Sequence, residues 1–361
     1  MSADSRAEAA TVDLDDTEGL LTADREGLLR SASMAGAQVR ATAAALDEGV
    51  LEPLRSDLPP RTVVWVASRG AAESAGLMLA ATLAGSTAAP IVVAPEVPPW
   101  IGALDVLVVA GDDPVDPVLV SAAATGTRRG ARVIVVAPHE GPLQDVAAGR
   151  AVVLEPRLRV LDDFGLARYF SAGLAILSVV DPGMQVDIAG LADELDAEAL
   201  RNSAGRDLVT NSAKTMADRM SGRQVVFAGD NAATSALAGY VATIMLRVGL
   251  TAVTAAELSD VLVAIQGGIA AGPADYGSSL FHDEEFDGPL PARMRTVVLT
   301  TGDERSTLVP RLSGFDDIDV VSAEDVPDAA APTVGGRPEQ QLALLAVRLE
   351  MTAVYLRLTR G

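Results

Sequence analysis

Val108-Val109-Ala110-Gly111-Asp112-Asp113 is the stretch that decides the fold, because an apolar run ends there in a small residue, a glycine and an aspartate. The same order returns in Val226-Phe227-Ala228-Gly229-Asp230-Asn231 and in Leu299-Thr300-Thr301-Gly302-Asp303-Glu304. Three copies indicate a duplicated architecture in which each copy ends a strand and enters a helix. For any one copy two explanations stay open: an aspartate that caps the next helix, or a ligand site at the strand end.

Apolar runs of strand length surround this stretch and alternate with alanine-rich segments of helical length. The runs lie at Thr62–Ala67, Ile91–Ala94, Asp105–Ala110, Arg132–Ala137 and Ala151–Leu154. This alternation predicts a doubly wound parallel sheet with both faces covered, as a first domain over residues 51–160. Strand patterns return at Gln224–Ala228, Leu250–Thr254, Thr296–Thr301 and Ile318–Ser322. They predict a second, similar domain over residues 223–330.

The remaining segments have helical patterns. An acidic segment and a helix occupy residues 1–50, and a helical bridge over residues 161–222 contains Phe164–Val180, Ile188–Asn202 and Asp207–Met220. The last segment, residues 331–361, carries a helix from Pro338 to Leu358. The predicted fold class is therefore α/β, with two doubly wound, Rossmann-like parallel-sheet domains, a helical bridge and a C-terminal helix.

The composition excludes several classes of function. Lys+Arg 28 against Asp+Glu 49 gives the 361 residues a net charge of −21, which argues against binding nucleic acid or anionic membranes. The absence of cysteine excludes disulfides, thiol nucleophiles and thiolate metal sites. The uncharged run from Ser74 to Pro95 is broken at Gly85 and Pro90, so we predict no membrane span. The N-terminus lacks a signal-peptide pattern, so we expect a cytoplasmic protein.

Three turns or loops carry candidate site residues. Ser68, Arg69 and Gly70 follow the first strand and open a helix, so backbone N–H groups, a hydroxyl and a guanidinium could hold an anion there. The pattern matches neither dinucleotide nor phosphate-loop motifs, and we expect no cofactor. His139 follows a strand end, where it is either a ligand or an ordinary exposed loop residue.

His282 lies in the third candidate segment, a long acidic insertion from Leu280 to Gly288. Four carboxylates around one imidazole should raise its pKa, which suits a proton donor. The same loop could suit a hard cation such as Mg²⁺ or Ca²⁺, or could be a solvated acidic loop without a site. We assign no metal ligand.

The organisation and these motifs resemble a known family, the sugar isomerase (SIS) domain proteins of the bifunctional phosphoglucose/phosphomannose isomerase type. The closer resemblance is to the TobH proteins, a divergent branch, and it covers residues 20–360. The closing helix, Gln341–Leu345 with Thr352–Leu356, contributes to it, and Phe281-His282-Asp283-Glu284 takes the place of the family's Asn-His-Asn-Glu motif. The resemblance implies an aldose–ketose isomerase scaffold that binds glucose, mannose or fructose 6-phosphate, usually as a homodimer. It also implies that His282 assists opening of the sugar ring.

The sequence departs from the family at the phosphate and base motifs. The family's Ser-x-Ser-Gly-x-Thr turn reads Val109-Ala110-Gly111-Asp112-Asp113-Pro114 here, so hydroxyl donors are replaced by carboxylates. Ser68, Arg69, Gly70 and His139 remain as the expected substrate-binding residues.

The family's Asn-Glu-Asn-Ala-Lys segment, which supplies the base, falls at Leu246-Arg247-Val248-Gly249 and contains no carboxylate. Glu257 is the nearest substitute base, or else an ordinary carboxylate in the first turn of a helix.

These observations predict a sugar-phosphate-binding protein with degenerate catalytic and phosphate motifs. One alternative is an active isomerase in which His282 opens the ring and Glu257 is the base. A second alternative is a regulatory partner protein without a small ligand, as carboxylates at Asp112 and Asp113 would suggest.

Overall fold

Two all-parallel sheets organise the computed structural model, which describes residues 12–269, 294–315, 317–326 and 336–360. The first sheet has the order β2-β1-β3-β4-β5 and the second the order β7-β6-β8-β9. The strands are β1 (Thr62–Val66), β2 (Ile91–Ala94), β3 (Asp105–Ala110), β4 (Arg132–Val136), β5 (Val152–Val153), β6 (Val225–Gly229), β7 (Thr254–Glu257), β8 (Arg295–Leu299) and β9 (Ile318–Val321). The predicted fold class, two doubly wound parallel-sheet domains, is confirmed.

Helices cover both sheets and join them. In chain order they are α1 (Thr17–Ala23), α2 (Leu28–Ala32), α3 (Ala35–Asp47), α4 (Gly70–Leu83), α5 (Pro117–Arg128), α6 (Gly141–Ala147), α7 (Leu166–Val180), α8 (Ile188–Arg201), α9 (Ser212–Met220), α10 (Ala232–Arg247), α11 (Leu258–Gln266), α12 (Gly302–Leu312) and α13 (Pro338–Leu358). In the described ranges, no helix combines the length and the apolar character that crossing a bilayer requires.

Side chains of each strand alternate between two cores, because successive residues of a strand point to opposite faces. Val63 and Trp65 of β1 belong to the large central core, whereas Val64 and Val66 belong to a smaller core on the other face. Both faces are therefore buried, and β1 and β3 are apolar and buried along their length, as expected for sheets covered by helices.

The large core is continuous through both domains. It contains Trp65 of the first sheet, Phe227 of the second and residues of α3, α4, α7, α8, α10 and α13. Helix α4 packs on α7 and α10, and α13 packs on α8, α9 and α10. Because α13 is buried on nearly every face, it has no polar stripe and serves as an interior helix.

Both sheets reverse their strand order after the first strand. β1 lies between β2 and β3, and β6 lies between β7 and β8. In open parallel sheets, ligands bind in the crevice at such a reversal, outside the carboxyl ends of the strands. Ligand sites are therefore expected at the turns after β1 and β3 and at those after β6 and β8.

Two details differ from the sequence predictions. The strand predicted at Leu250–Thr254 is instead β7, Thr254–Glu257, because Leu250 belongs to the turn that follows α10 and has a left-handed backbone (φ 48°). The helix predicted at Asp207–Met220 is split, since Asn211 accepts a hydrogen bond from Lys214 N–H and thereby caps α9 after a 3₁₀ turn at Leu208–Thr210.

Candidate functional site

The turn between β1 and α4 has an open helix N-terminus. Arg69 occupies the N-cap position of α4 in an extended conformation, and its side chain makes no capping hydrogen bond. Gly70 has φ +69°, a left-handed conformation that glycine adopts without strain, and no atom lies within 4 Å of where a Cβ would stand. The first N–H groups of α4 and the positive end of its dipole therefore face this edge without a side-chain acceptor.

The equivalent turn of the second sheet is closed. Asn231 caps α10 by accepting hydrogen bonds from Ala233 N–H and Thr234 N–H, each at 2.9 Å. Its amide also donates to Glu304 Oε2 at 2.5 Å. After β8, Gly302 N–H donates to Gln341 Oε1 at 2.7 Å. The N–H groups at the start of α10 and the Gly302 N–H are thus already satisfied by the protein.

Two carboxylates of the loop after β3, Asp113 and Asp116, contact the turn between β1 and α4. Ser68 Oγ donates to Asp116 Oδ2 at 2.6 Å, and Asp116 also accepts the Val118 N–H at 2.8 Å. Although burial opposes it, hydrogen bonds from Ser68 and Val118 and the nearby Arg69 lower the pKa of Asp116. Asp113 accepts the Val115 N–H at 3.0 Å and lies 3.8 Å from an Arg69 nitrogen. Both carboxylates are engaged in holding the loop and the turn.

The caps of the helices differ from the sequence explanation in which the aspartate of each Gly-Asp copy caps the next helix. Asp116 caps α5, Asn231 caps α10 and Thr301 occupies the N-cap position of α12. Asp112 is exposed and accepts no hydrogen bond in the described part of the chain. The negative charge of Asp112 can therefore act directly on a ligand that binds at the carboxyl edge of the first sheet.

Arg168 enters the same region from α7. Its guanidinium lies 4.4 Å from the centroid of the Tyr169 ring and donates a hydrogen bond to the Tyr169 hydroxyl. Its Nε is buried and has no hydrogen-bond partner within the described ranges. Burial, together with the nearby Asp112, raises the pKa of Asp162, while Arg168 opposes that rise. Arg168 is thus a cation without a carboxylate partner among the described residues, in the electrostatic reach of Asp112 and Asp162.

Arg247 brings the second domain to this edge. It is the last residue of α10, and its Nε lies 2.8 Å from Asp163 Oδ1. Its side chain is 54% exposed, so the guanidinium is also accessible to a ligand. The backbone carbonyl of Asp163 accepts a hydrogen bond from Tyr240 Oη at 3.2 Å, which fixes the 3₁₀ turn that carries Asp162 and Asp163. The site therefore combines the first domain, the bridge and the second domain.

His139 lies at the same edge, one strand further along. It follows β4 and is half-buried, and its Nε2 is buried with no hydrogen-bond partner among the described residues. Its loop contacts the loop after β3, because Leu143 N–H donates to Pro114 O at 3.3 Å. A buried polar atom without a partner costs free energy, which a ligand or a water could recover.

Of the two predicted catalytic residues, Glu257 is the one that the structure describes, and it is not brought to this edge. Glu257 is exposed, ends β7 and lies beside Gly229 at the carboxyl edge of the second sheet. Helix α10, whose 16 residues span about 24 Å, separates that edge from Arg247. His282 lies outside the described residues. Among those that are described, no group of three or more acidic or histidine side chains could hold a metal ion.

The sequence analysis did not include Arg168 and Arg247 among the candidate site residues. A signal for the first existed, since Arg168 is the only charged residue of the otherwise apolar α7. Arg247 carries no such signal, because only the packing of α10 against α4 brings the end of a second-domain helix to the first sheet.

Comparison with known proteins finds likeness in structure alone. No family model matches the chain, and no curated protein matches its sequence. Tagatose-6-phosphate ketose/aldose isomerase from Escherichia coli has a TM-score of 0.61 and 15% identity, with 98% of this chain and 96% of that chain covered. The C-terminal domain of glucosamine-fructose-6-phosphate aminotransferase from Francisella tularensis has a TM-score of 0.57 and 10% identity, with 95% and 96% covered.

A glucose-6-phosphate isomerase like protein from Thermus thermophilus has a TM-score of 0.53 and 19% identity, with 97% of this chain and 96% of that chain covered. At these identities the likeness establishes the fold and nothing finer. The chain therefore has the two-domain fold of the SIS-type phosphosugar isomerases over nearly its whole length.

Proposed function

We propose that the protein binds a phosphorylated hexose at the carboxyl edge of its first sheet. The observation that carries the proposal is the open N-terminus of α4 beside Ser68 and Arg69, with Arg168 and Arg247 reaching the same edge from two other parts of the chain. Fructose, glucose and mannose 6-phosphate are the expected ligands, because proteins of this fold include isomerases of phosphorylated sugars.

The phosphate would lie at the α4 N-terminus. Backbone N–H groups and the helix dipole favour an anion there, and Gly70 lets it approach the backbone closely. Arg69 is 67% exposed and its nearest carboxylate oxygen is 3.8 Å away, so its guanidinium can turn to a ligand. Asp113 and Asp116 hold the loop by accepting backbone hydrogen bonds, which explains why carboxylates are tolerated beside this turn.

The sugar would extend towards His139, Arg168 and Arg247. The free Nε2 of His139 and the guanidinium groups suit hydroxyl or carbonyl oxygens of the sugar, and Asp112 and Asp162 can accept from its hydroxyls. One part of the site, at the helix N-terminus, suits an anion, and the other part, with charged groups of both signs, suits hydroxyl groups. This division favours a sugar phosphate over a simple anion.

A thermal unfolding titration with fructose 6-phosphate tests the proposal. A ligand at about 100 times its Kd stabilises the folded state by about 2.7 kcal/mol, which is well above measurement noise. We expect a saturable rise in Tm with at least one of the three sugar phosphates. Arg69→Ala should abolish it, whereas Arg223→Ala, at an exposed arginine of the second domain, should retain it. No rise with any of the three, or an unchanged rise in Arg69→Ala, would contradict the proposal.

An active isomerase is the second candidate, and Asp162 is the observation that favours it. Burial and the charge of Asp112 raise the pKa of this carboxylate, which moves it towards the range of a general base. If the protein isomerises the sugar, Asp162→Asn should lower kcat by about 10²–10⁴-fold with binding retained, while Asp57→Asn, in an exposed loop, should change nothing. Unaltered turnover in Asp162→Asn would exclude this carboxylate as the base.

Finer expectations belong to the same proposal. The roles of His282 in ring opening and of Glu257 as base remain predictions, as do homodimerisation, a cytoplasmic location and a place near the TobH branch. A partner protein without a small ligand is the remaining alternative, and failure of every sugar phosphate to bind would favour it.

A further inference from the structure

An exposed tryptophan lies at the amino edge of the first sheet, on the side opposite the candidate site. Trp100 is 45% exposed, and the guanidinium carbon of Arg61 lies 5.6 Å from its ring centroid. Arg129 donates a hydrogen bond to Pro99 O, the carbonyl of the residue that precedes Trp100. Leu104, 62% exposed, adjoins them, because Arg61 N–H donates to its carbonyl at 2.8 Å.

Further arginines extend this surface, because parallel strands begin at one edge of a sheet. Arg61 precedes β1, Arg129 precedes β4 and Arg150 precedes β5. We define the amino-edge patch as Arg61, Trp100, Leu104, Arg128, Arg129, Arg132 and Arg150. Aromatic residues and arginine are the residue types enriched at the energetic centres of protein interfaces.

The positive charge of the patch is mostly uncompensated. Arg61 pairs with Asp105, but Arg128 is bonded to Thr125 Oγ1, Arg129 to Pro99 O and Arg132 to Leu54 O, none of which is a carboxylate. Arg150 is exposed and has no partner in the part of the chain that the structure describes.

At the corresponding edge of the second sheet, Arg223 is exposed but Arg295 has a carboxylate partner. Arg295 is the first residue of β8 and pairs with Asp319, which Arg219 also contacts at 3.4 Å. The arginines of the amino-edge patch stand out because the chain as a whole carries a net charge of −21. A local excess of arginine on an acidic protein indicates a surface that is complementary to a negatively charged partner.

We propose that the amino-edge patch docks an acidic segment of a partner protein. Carboxylates of that segment pair with Arg128, Arg129 and Arg150, and an apolar side chain of the partner covers Trp100 and Leu104. A two-fold contact between copies would set the same arginines against each other. A nucleic acid strand would extend past this small patch onto the rest of a protein whose net charge is −21. A short carboxylate-rich segment avoids both repulsions.

Tryptophan fluorescence allows a direct test on the whole protein. The only other tryptophan, Trp65, is 2% exposed and donates to Ala72 O, so quenchers in water act mainly on Trp100. The probe is a short acetylated peptide of glutamates and leucines. Its matched control is the same peptide with glutamine in place of glutamate, and an oligothymidine of equal charge is the comparison polyanion.

We expect the glutamate peptide to bind saturably, protect Trp100 from quenching and lose affinity as salt rises. Arg128→Ala/Arg129→Ala should weaken it at least about tenfold, while Arg223→Ala, an exposed arginine of the second domain, should bind as the wild type does. These outcomes do not depend on sugar-phosphate binding, because the patch lies at the opposite edge of the sheet.

Three results would overturn the proposal. Equal binding of the glutamine peptide would remove the role of the arginines. Binding of the oligothymidine as tight as that of the glutamate peptide would assign the patch to nucleic acid. A fall in the sedimenting mass of the protein in Trp100→Ala would assign it to contact between copies.

Discussion

Ser68 and Asp116 form the hydrogen bond on which the candidate site rests. Ser68 donates its hydroxyl proton to Asp116, so it can offer a ligand only its oxygen lone pairs or a rearranged contact. Asp116 joins the turn after β1 to the cap of α5. The carboxylate thus stabilises two elements at once, and the phosphate-binding capacity of the turn resides in backbone N–H groups and Arg69.

Asp116 and Asp112 are four residues apart and should differ sharply in mutational effect. Asp116→Ala removes a helix cap and the acceptor of Ser68, and we expect it to lower the free energy of unfolding by about 1–2 kcal/mol. Asp112→Ala removes a carboxylate that accepts no hydrogen bond in the described ranges and that raises the pKa of Asp162, so stability should stay the same or rise. Urea unfolding measures both. Equal losses in the two variants would contradict the assignment.

The sequence predicted that Ser68, Arg69 and Gly70 form the turn between a strand and a helix, and their binding role stays a prediction. Ser68, Arg69 and Gly70 are adjacent and follow a recognisable strand, so local pattern was sufficient. Arg168 and Arg247 reach the same edge through tertiary packing of α7 and α10, which no local pattern encodes.

Just after the end of α10, the backbone adopts a conformation that non-glycine residues disfavour. A Cβ at Gly249 would lie 2.9 Å from Met245 O and 3.2 Å from Ala353 O, so the close approach to α13 reserves that position for glycine. The next residue, Leu250, then takes the left-handed conformation with φ 48° and is 60% exposed. For a leucine, that conformation costs about 1 kcal/mol in backbone strain.

Leu250→Asn should therefore stabilise the protein, since asparagine tolerates the left-handed region better than leucine does. We expect a gain of about 0.5–1 kcal/mol in the free energy of unfolding, measured by urea titration. Leu246→Asn, at an exposed position within the same helix, is the matched control and should give no gain, because asparagine is a poorer helix former. A gain in both variants would show that lost apolar exposure, not backbone strain, is responsible.

Most elements were predictable because their apolar runs are bounded by turn residues. Ile91–Ala94, Asp105–Ala110 and Pro338–Leu358 match the observed bounds of β2, β3 and the last helix. The strand expected at Leu250–Thr254 failed because its first residues complete the left-handed end of α10, a geometry set by contact with α13.

A buried carboxylate lies where the two halves of the molecule meet. Glu350 of α13 is 3% exposed and borders a small void together with Met78 of α4 and Phe170 of α7. Tyr240 of α10 donates to its Oε1 at 2.5 Å. Burial raises the pKa of Glu350 to about 8, an effect that the hydrogen bond from Tyr240 only partly offsets.

This carboxyl should make the stability of the whole protein depend on pH. The folded state keeps a proton that the unfolded state releases above its ordinary pKa of 4.5, so stability falls as pH rises from about 4.5 to about 8. Glu350→Gln keeps an acceptor for Tyr240 but cannot ionise. Its stability relative to wild type should be near equal at pH 5 and higher by a few kcal/mol, in order of magnitude, at pH 9. A difference that stays constant with pH would contradict this.

Because α13 lies at the end of the chain, the large core can be completed only after α13 has been synthesised. Trp65 near the start of the chain and Leu342 near its end belong to one core, so the inner face of the first sheet and its helices stay partly uncovered until the last helix has been made. Contacts this distant in sequence close slowly, because a long loop must be ordered first. The first domain of the nascent chain therefore exposes apolar surface until α13 has been synthesised. Chaperone binding is expected to matter most during this stage of synthesis.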